Sequence, residues 1–253
     1  MTAWPEHIEA LRTWVLWECR DIPPDLVLAV IQNESNGAPG IQGRGKTRAG
    51  KLPDVNGNFV ELCHAMGLMQ TIPATVIWYN ETADDPATVD DMEGEDERAA
   101  RLQIRVGCRY LAFVNHYLHK KNASACPAAS LADANDDQIK FVLCGYAVGH
   151  GAITEKLSEL QRQKIPATWS NIKKYYPTWG QKNGKWINRP VQYAERVFDN
   201  YRAHKQGSYE IPVPTPLGAR IAGKLTSSRG ILAAVLILGG AGYLIDKYYT
   251  RMV

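Results

Sequence analysis

The chain has 253 residues, 45% hydrophobic and 22% charged, which is the composition of an ordinary globular protein. Its 29 basic and 26 acidic side chains leave a formal net charge of only +3, and no basic run interleaves with aromatic residues. This balance argues against nucleic-acid recognition as the function.

The five cysteines, Cys19, Cys63, Cys108, Cys126 and Cys144, lack the paired spacing of a structural zinc site. We interpret most of them as buried, reduced thiols that pack as small hydrophobic groups. This interpretation implies that the chain folds in a reducing cytoplasm.

Two helices are predicted at the start of the chain. Residues 4–20 place apolar side chains at helical spacing, and two prolines then separate them from the next segment. That segment, residues 26–31, is apolar on every side, which is typical of a helix in the middle of a domain. Gly37 is a plausible C-terminal cap for this second helix.

The middle of the chain predicts a long loop and further helices. Residues 37–64 form the loop, in which Asn56-Gly57 between apolar residues predicts a small β-hairpin. A short helix is expected from about Pro73, an acidic solvated loop over 84–97, and helices over about 98–119, 136–160 and 190–205. A second turn is expected at Asn183-Gly184. The globular part, residues 1–205, is therefore predicted to be mainly α with one or two small β-hairpins.

The composition changes after the last of these helices. Residues 206–228 contain several prolines and are predicted to form an extended linker. Residues 230–245 are uninterruptedly apolar, and as a helix they span about 24 Å, slightly short of the roughly 30 Å hydrocarbon core of a bilayer. We therefore predict a transmembrane helix over 229–247.

Glu34 is the first candidate for chemistry. It lies where the apolar helix ends, so burial and the negative end of the helix dipole both disfavour its charged form. The pKa of such a carboxyl group rises, which suits a general acid near neutral pH.

Four segments, in this order, resemble the soluble lytic transglycosylases and goose-type lysozymes. Residues 24–35 end in Glu34-Ser35, similar to the Glu-Ser motif of that family, and residues 67–70 read Gly-Leu-Met-Gln. Residues 107–111 and 191–197 are similar to two further helical segments of the family. The resemblance implies a mainly α, lysozyme-like fold for residues 1–205.

The resemblance also implies site residues. Glu34 corresponds to the catalytic acid and base of the family. Residues implied to bind substrate are Ser35, Gly67, Met69, Gln70, Tyr146 and Tyr193.

Two features depart from the family pattern. Ala147 stands where the family's Ala-Tyr-Asn-Ala-Gly segment has asparagine, which puts one substrate contact in doubt. The interval between Ser35 and Gly67 is also longer than is typical, so the hairpin loop resembles an insertion.

The implied substrate is peptidoglycan and the implied reaction is that of a lytic transglycosylase. Glu34 would cleave the β-1,4 bond between N-acetylmuramic acid and N-acetylglucosamine and form a 1,6-anhydro product. A goose-type hydrolase is the alternative if Asp54 or Glu61 positions a water molecule. A second alternative is a non-catalytic peptidoglycan-binding subunit. No motif indicates a metal, nucleotide or flavin cofactor.

The first residues of the chain bear on the compartment in which the protein acts. We see no secretory signal at the first residues, although the substrate lies outside the inner membrane. We therefore expect a membrane-anchored enzyme carried in a bacteriophage virion, with other virion proteins as partners, that opens the host wall from the periplasm during genome ejection. The alternative is a wall-remodelling enzyme of the bacterial cell envelope.

Overall fold

The computed structural model describes residues 3–43, 49–177, 181–182, 185–186 and 189–205. This part of the chain is mainly helical, as predicted. Its helices are α1 (Glu6–Glu9), α2 (Arg12–Glu18), α3 (Pro24–Ser35), α4 (Pro73–Asn80), α5 (Val89–Glu93), α6 (Glu97–Lys121), α7 (Asp136–Val148), α8 (His150–Arg162), α9 (Trp169–Tyr175) and α10 (Arg189–His204). Two antiparallel hairpins complete it: β1 (Gly50–Pro53) with β2 (Phe59–Leu62), and β3 (Gln181–Lys182) with β4 (Lys185–Trp186).

Helix α3 lies at the centre of the domain, as its apolar sequence predicts. All side chains from Leu26 to Ile31 are fully buried, and α1, α2 and α10 pack around the helix. Pro24 occupies its first turn, where no backbone N–H is needed. The predicted cap, Gly37, was one residue too late: the left-handed residue that ends the helix is Asn36, with φ 51°, and Gly37 follows it with φ 78°.

Two of the predicted helices are divided. Residues 4–20 form α1 and α2, with a break at Ala10 and Leu11. Residues 136–160 form α7 and α8, because Gly149 between them has φ 92°, a conformation outside the helical region. Each of these two segments therefore forms two shorter helices instead of one long helix.

Helix α6 is the longest element and supports the others. It has 25 residues and contacts α2, α4, α5, α7 and α8. The carboxylate of Asp96 accepts a hydrogen bond from the backbone N–H of Ala99 and caps its start. His119, Lys120 and Lys121 lie in its last turn, where positive charge is favourable.

The acidic stretch over 84–97 is more ordered than predicted. It contains α5, which begins with a capping box formed by Thr88 and Asp91. Asp91 is 4% exposed and forms an ion pair with Arg98. The prediction of a solvated loop was therefore wrong here, because the carboxylate of Asp91 finds partners that compensate for its burial.

A disulfide joins Cys19, at the end of α2, to Cys108 in α6. The prediction that most of the five cysteines are reduced thiols agrees with three of them, and this pair is the exception. Cys126 and Cys144 are free and buried, and Cys63 is free and half-buried. Spacing along the chain could not identify the pair, since the two cysteines are 89 residues apart and are brought together by the packing of α2 on α6.

The predicted linker and transmembrane segment, residues 206–247, lie outside the described residues. Among the helices that are described, none is both long and apolar enough to cross a membrane.

Candidate active site

Glu34 lies in the last turn of α3 and is half-buried. Loss of solvation raises the pKa of its carboxyl group from 4.5 to about 7. Tyr193 and Arg196 act in the opposite direction, the first by hydrogen bonding and the second by its charge. Burial has the larger effect, so the group gains and loses its proton close to neutral pH, as general acid–base catalysis requires.

Helix α10 brings Tyr193 and Arg196 to Glu34. Tyr193 is 9% exposed, and its hydroxyl has no partner at strict hydrogen-bond geometry among the described residues. The same hydroxyl nevertheless interacts with the Glu34 carboxylate closely enough to affect its pKa. Tyr193 therefore lies beside the Glu34 carboxylate, where its hydroxyl favours the charged form.

Polar contacts hold α10 in register with the end of α3. The Nε of Arg196 donates to Oδ1 of Asn33 over 2.5 Å, and the amide of Asn200 donates to Oε1 of Gln32 over 2.8 Å. The residue before Glu34 is thereby tied to the helix that carries Tyr193. These contacts set the position of the carboxyl group relative to the tyrosine.

Tyr146 approaches the site from α7. Its hydroxyl donates a hydrogen bond of 2.6 Å to the backbone carbonyl of Met69. Burial raises the pKa of Tyr146 well above its usual value, and the charge of Glu34 raises it further. Tyr146 thus connects α7 with the turn over residues 67–70 beside the acid.

The turn over residues 67–70 depends on unusual backbone angles. Gly67 has φ 72° and Gln70 has φ 48°. The Nε2 of Gln70 donates to the carbonyl oxygens of Ile41 and Gly67, each over 2.9 Å. The amide nitrogen of Gln70 therefore holds two loops together, and only its carbonyl oxygen is left for a substrate.

Gln103 is a supporting residue that the sequence analysis missed. It is fully buried in α6, and its Oε1 accepts from the backbone N–H of Leu68 over 2.9 Å. Its Nε2 donates to the carbonyls of Asp91 and Gly94. A glutamine among the apolar residues of an amphipathic helix was the available signal, because a buried amide needs partners.

The side chain of Met69 is fully buried and packs against Gly107 of α6. It therefore has no surface with which to contact a sugar, and its contribution is the carbonyl that binds Tyr146. A Cβ atom added at Gly107 would lie 2.3 Å from the sulfur of Met69. The close approach of α6 to the turn requires glycine at this position.

We expect Gly107→Ala to lower the free energy of unfolding by about 1–3 kcal/mol, because the added methyl group overpacks the contact with Met69. Thermal unfolding measures this. The matched control is Gly151→Ala in α8, where a Cβ meets nothing within 4 Å and alanine favours the helix by up to about 1 kcal/mol. Equal effects of the two substitutions would contradict the packing argument.

Ser35 is 5% exposed and completes the end of α3. Its hydroxyl donates to the carbonyl of Ile31 and accepts from the backbone N–H of Gly37, each over 3.2 Å. These bonds use the hydroxyl within the fold. Ser35 therefore fixes the chain around Glu34, which differs from the direct substrate contact that the resemblance implies.

The two acidic residues considered as a second carboxylate lie on the β1–β2 hairpin. The carboxylate of Asp54 accepts hydrogen bonds from the backbone N–H groups of Asn56 and Asn58 and from the side-chain amide of Asn58, and these bonds lower its pKa. Glu61 is exposed on β2, opposite Lys51. Neither is among the groups that act on Glu34, and Asp54 is occupied by its own turn.

Ala147 is exposed at the end of α7 and lines a cavity of about 590 Å³ next to the acid. Tyr193 and Arg196 line the same cavity. The alanine thus leaves open space near Glu34. Among the described residues, no cluster of three or more His, Cys, Asp or Glu side chains is arranged to hold a metal ion.

These features define a mainly helical protein in which a carboxyl group at the end of the central helix, with its pKa raised by burial, is flanked by two tyrosines from other helices. Residues 17–168 match the family model described as the transglycosylase SLT domain. Because this match covers more than half of the 253 residues, the chain belongs to that family. Membership implies a lytic-transglycosylase type of activity on peptidoglycan. Neither a search of curated proteins nor one of solved structures gave a significant match.

The matched range includes Glu34, the 67–70 turn and Tyr146, and it ends before α10. Arg196 is a second residue that the sequence analysis missed. Arg196 lies one helical turn after Tyr193, on the same face of α10. A positive charge at that spacing could have indicated that Arg196 also faces the catalytic carboxyl group.

Proposed function

We propose that the protein is a lytic transglycosylase that cleaves the β-1,4 bond between N-acetylmuramic acid and N-acetylglucosamine and forms 1,6-anhydro-N-acetylmuramic acid. The observation that carries this proposal is the position of Glu34 in the last turn of α3, inside the range matched by the family, where burial raises the pKa of its carboxyl group to about 7. Such a group is a proton donor before bond cleavage and a proton acceptor after it.

In the first step, protonated Glu34 donates its proton to the glycosidic oxygen. The bond between this oxygen and the muramyl C1 breaks, and the leaving sugar takes the electron pair. In the second step, the Glu34 carboxylate accepts the proton of the muramyl C6 hydroxyl, whose oxygen attacks C1. The ring closes without external water, and Glu34 is again protonated. Between the steps, Tyr193 and Arg196 stabilise the charged carboxylate.

No described carboxylate contributes to the pKa shift of Glu34, which agrees with a reaction that uses one acid. Glycosidases that use water or a covalent intermediate place two carboxyl groups at a defined separation. Asp54, one of the two candidates for this role, has its carboxylate engaged in the hairpin turn. Hydrolysis through Asp54 or Glu61 is therefore the second candidate.

Product analysis distinguishes the candidates. Purified full-length protein is incubated with sacculi, and the released muropeptides are identified by mass spectrometry, with the Glu34→Gln variant as the blank. Anhydro-muramyl ends support the transglycosylase, whereas reducing muramyl ends would replace it with the hydrolase. Binding to sacculi without release, by protein shown to be folded, would favour a non-catalytic peptidoglycan-binding subunit.

The pH dependence of the reaction follows from the same carboxyl group. The acid form must start the reaction, so kcat/KM is expected to be highest below the pKa of about 7 and to fall about tenfold per pH unit above it. Rates between pH 4 and 9, with circular dichroism at each pH as the folding control, measure this. A profile that already falls between pH 4 and 5 would contradict it.

We propose that the enzyme works outside the inner membrane, held there by an anchor over 229–247 and delivered in a phage virion. The Cys19–Cys108 disulfide supports an oxidising compartment, such as the periplasm or a virion. The apolar run 230–245 supports the anchor. Retention of the full chain in membranes after alkaline carbonate washing tests the anchor, and release identical to that of residues 1–205 would exclude it.

A further inference from the structure

The cavity beside Glu34 has a composition that the proposed reaction does not explain. It measures about 590 Å³ and lies between the end of α7 and the first half of α10. The described residues that line it are Ala147, Val148, Arg189, Pro190, Gln192, Tyr193 and Arg196. The cavity therefore combines apolar side chains, those of Ala147, Val148 and Pro190, with two guanidinium groups and one amide.

The two arginines lie on one face of α10. Arg189 and Arg196 are seven residues apart, which corresponds to two helical turns and about 10 Å along the axis. Gln192 and Tyr193 lie between them on the same face. Arg189, Gln192 and Arg196 are exposed, so their polar groups are accessible from the cavity.

Neither arginine forms a salt bridge with a described residue, and no described residue lining the cavity carries a carboxylate. Other arginines of the domain are paired. Arg101 and Arg105 bind Glu18, and Arg202 on the same helix binds Asp136. Among the described residues, Arg196 donates a side-chain hydrogen bond through its Nε to Asn33, and its two terminal nitrogens form no hydrogen bond with them. Arg196 interacts with the charge of Glu34, whereas Arg189 has no ion-pair partner among the described residues. When Glu34 is protonated, at the start of the proposed reaction, the cavity therefore presents positive charge.

We propose that this cavity is a subsite for a carboxylate-bearing substituent of the glycan strand, bound by Arg189 and Arg196 while the bond is cleaved at Glu34. A guanidinium group matches a carboxylate with two parallel hydrogen bonds, and one fixed at Asn33 is already oriented. The subsite rests on the proposed function, because Tyr193, which lines the cavity and interacts with Glu34, places it beside the bond that Glu34 would cleave.

Two parts of peptidoglycan present a carboxylate in this position. The lactyl group of N-acetylmuramic acid carries a free carboxylate when the peptide has been removed. The peptide stem carries carboxylates of its own when it is present, and the lactyl group is then an amide. The shared chemistry is a carboxylate next to the scissile bond.

The test compares wild-type protein with Arg189→Gln on three glycan substrates. One carries peptide stems, the second has been stripped of peptides by an amidase, and the third has its carboxylates converted to neutral amides. Arg202→Gln is the matched control, because it makes the same change on α10 at an arginine outside the cavity. Arg189 is chosen over Arg196, which also acts on the pKa of Glu34.

We expect Arg189→Gln to raise KM about tenfold on a carboxylate-bearing substrate with little change in kcat, which corresponds to the loss of one charge-assisted hydrogen bond. On neutral amidated strands, Arg189→Gln and wild type should match. An effect confined to stem-bearing strands assigns the stem, and one confined to stripped strands assigns the lactyl group. An effect on both assigns either carboxylate.

Equal KM values for wild type and Arg189→Gln on all three substrates would overturn the subsite. An equal loss on charged and neutral strands would do the same, because it indicates a structural role. Failure of the proposed function is a separate result, in which folded wild-type protein releases nothing from any substrate. In that case, binding of stem-bearing and stripped fragments to the full chain tests the subsite alone, and binding unchanged by Arg189→Gln, or absent, overturns it.

Discussion

The Glu34→Gln variant is expected to lose glycan cleavage by a factor of about 10³ while keeping its fold. A glutamine fills nearly the same volume but can neither donate nor accept a proton on the pathway, and general acid–base catalysis contributes about 10²–10⁴-fold. Since Glu34 is the one carboxyl group that the proposed reaction uses in both steps, no other group replaces it. Release of soluble muropeptides from sacculi measures the loss.

The same substitution is expected to stabilise the protein above neutral pH. The pKa of Glu34 is raised from 4.5 to about 7 in the folded state. The stability linked to the protonated carboxyl is therefore complete below about pH 4.5 and is lost as pH rises through about 7. Above that pH the buried charge costs up to about 3 kcal/mol, and neutral glutamine removes this cost. The melting temperature of Glu34→Gln should exceed that of wild type at pH 8 and match it at pH 4.

Glu155→Gln in α8 is the control for both measurements, because its glutamate side chain is 70% exposed. It should change neither the rate nor the pH dependence of stability. A Glu34→Gln variant that retains more than a tenth of the wild-type rate would exclude Glu34 as the acid. A melting temperature lower than that of wild type at pH 8 would contradict the raised pKa.

Loss of the Cys19–Cys108 disulfide is expected to cause the largest change in stability. The bond closes a loop of 89 residues, and the chain-entropy relation gives about 4–5 kcal/mol for a loop of this length. For a domain of this size, that loss lowers the melting temperature by roughly 10 °C. The double variant Cys19→Ala with Cys108→Ala, measured by thermal unfolding, tests this expectation.

Two controls separate the disulfide from ordinary side-chain loss. A reducing agent should lower the melting temperature of wild type and leave the double variant unchanged. Cys63→Ala, at a half-buried free thiol, should have little effect. Alkylation of denatured, unreduced protein should label Cys63, Cys126 and Cys144 and spare the bonded pair. Labelling of all five cysteines would contradict the bond.

The sequence by itself determined the elements whose causes are local. An all-apolar segment predicted the central helix α3, Asn56-Gly57 between apolar residues predicted the β1–β2 hairpin, and Asn183-Gly184 predicted a turn where β3 and β4 pair. The sequence also predicted that Glu34 lies near the end of α3, because the residues that end a helix are its sequence neighbours. Burial at that position was also predictable, and it is the main cause of the raised pKa.

Only the tertiary structure decided which distant residues meet. The pairing of Cys19 with Cys108, the bonds of Gln103 to the 67–70 turn, and the approach of Arg196 to Glu34 all join separate helices. The buried Asp91 and the cavity at Ala147 likewise depend on how helices pack. Contacts between residues far apart in the sequence arise when whole helices pack together. The chemistry of one residue shows that it needs a partner, but it does not show which residue that partner is.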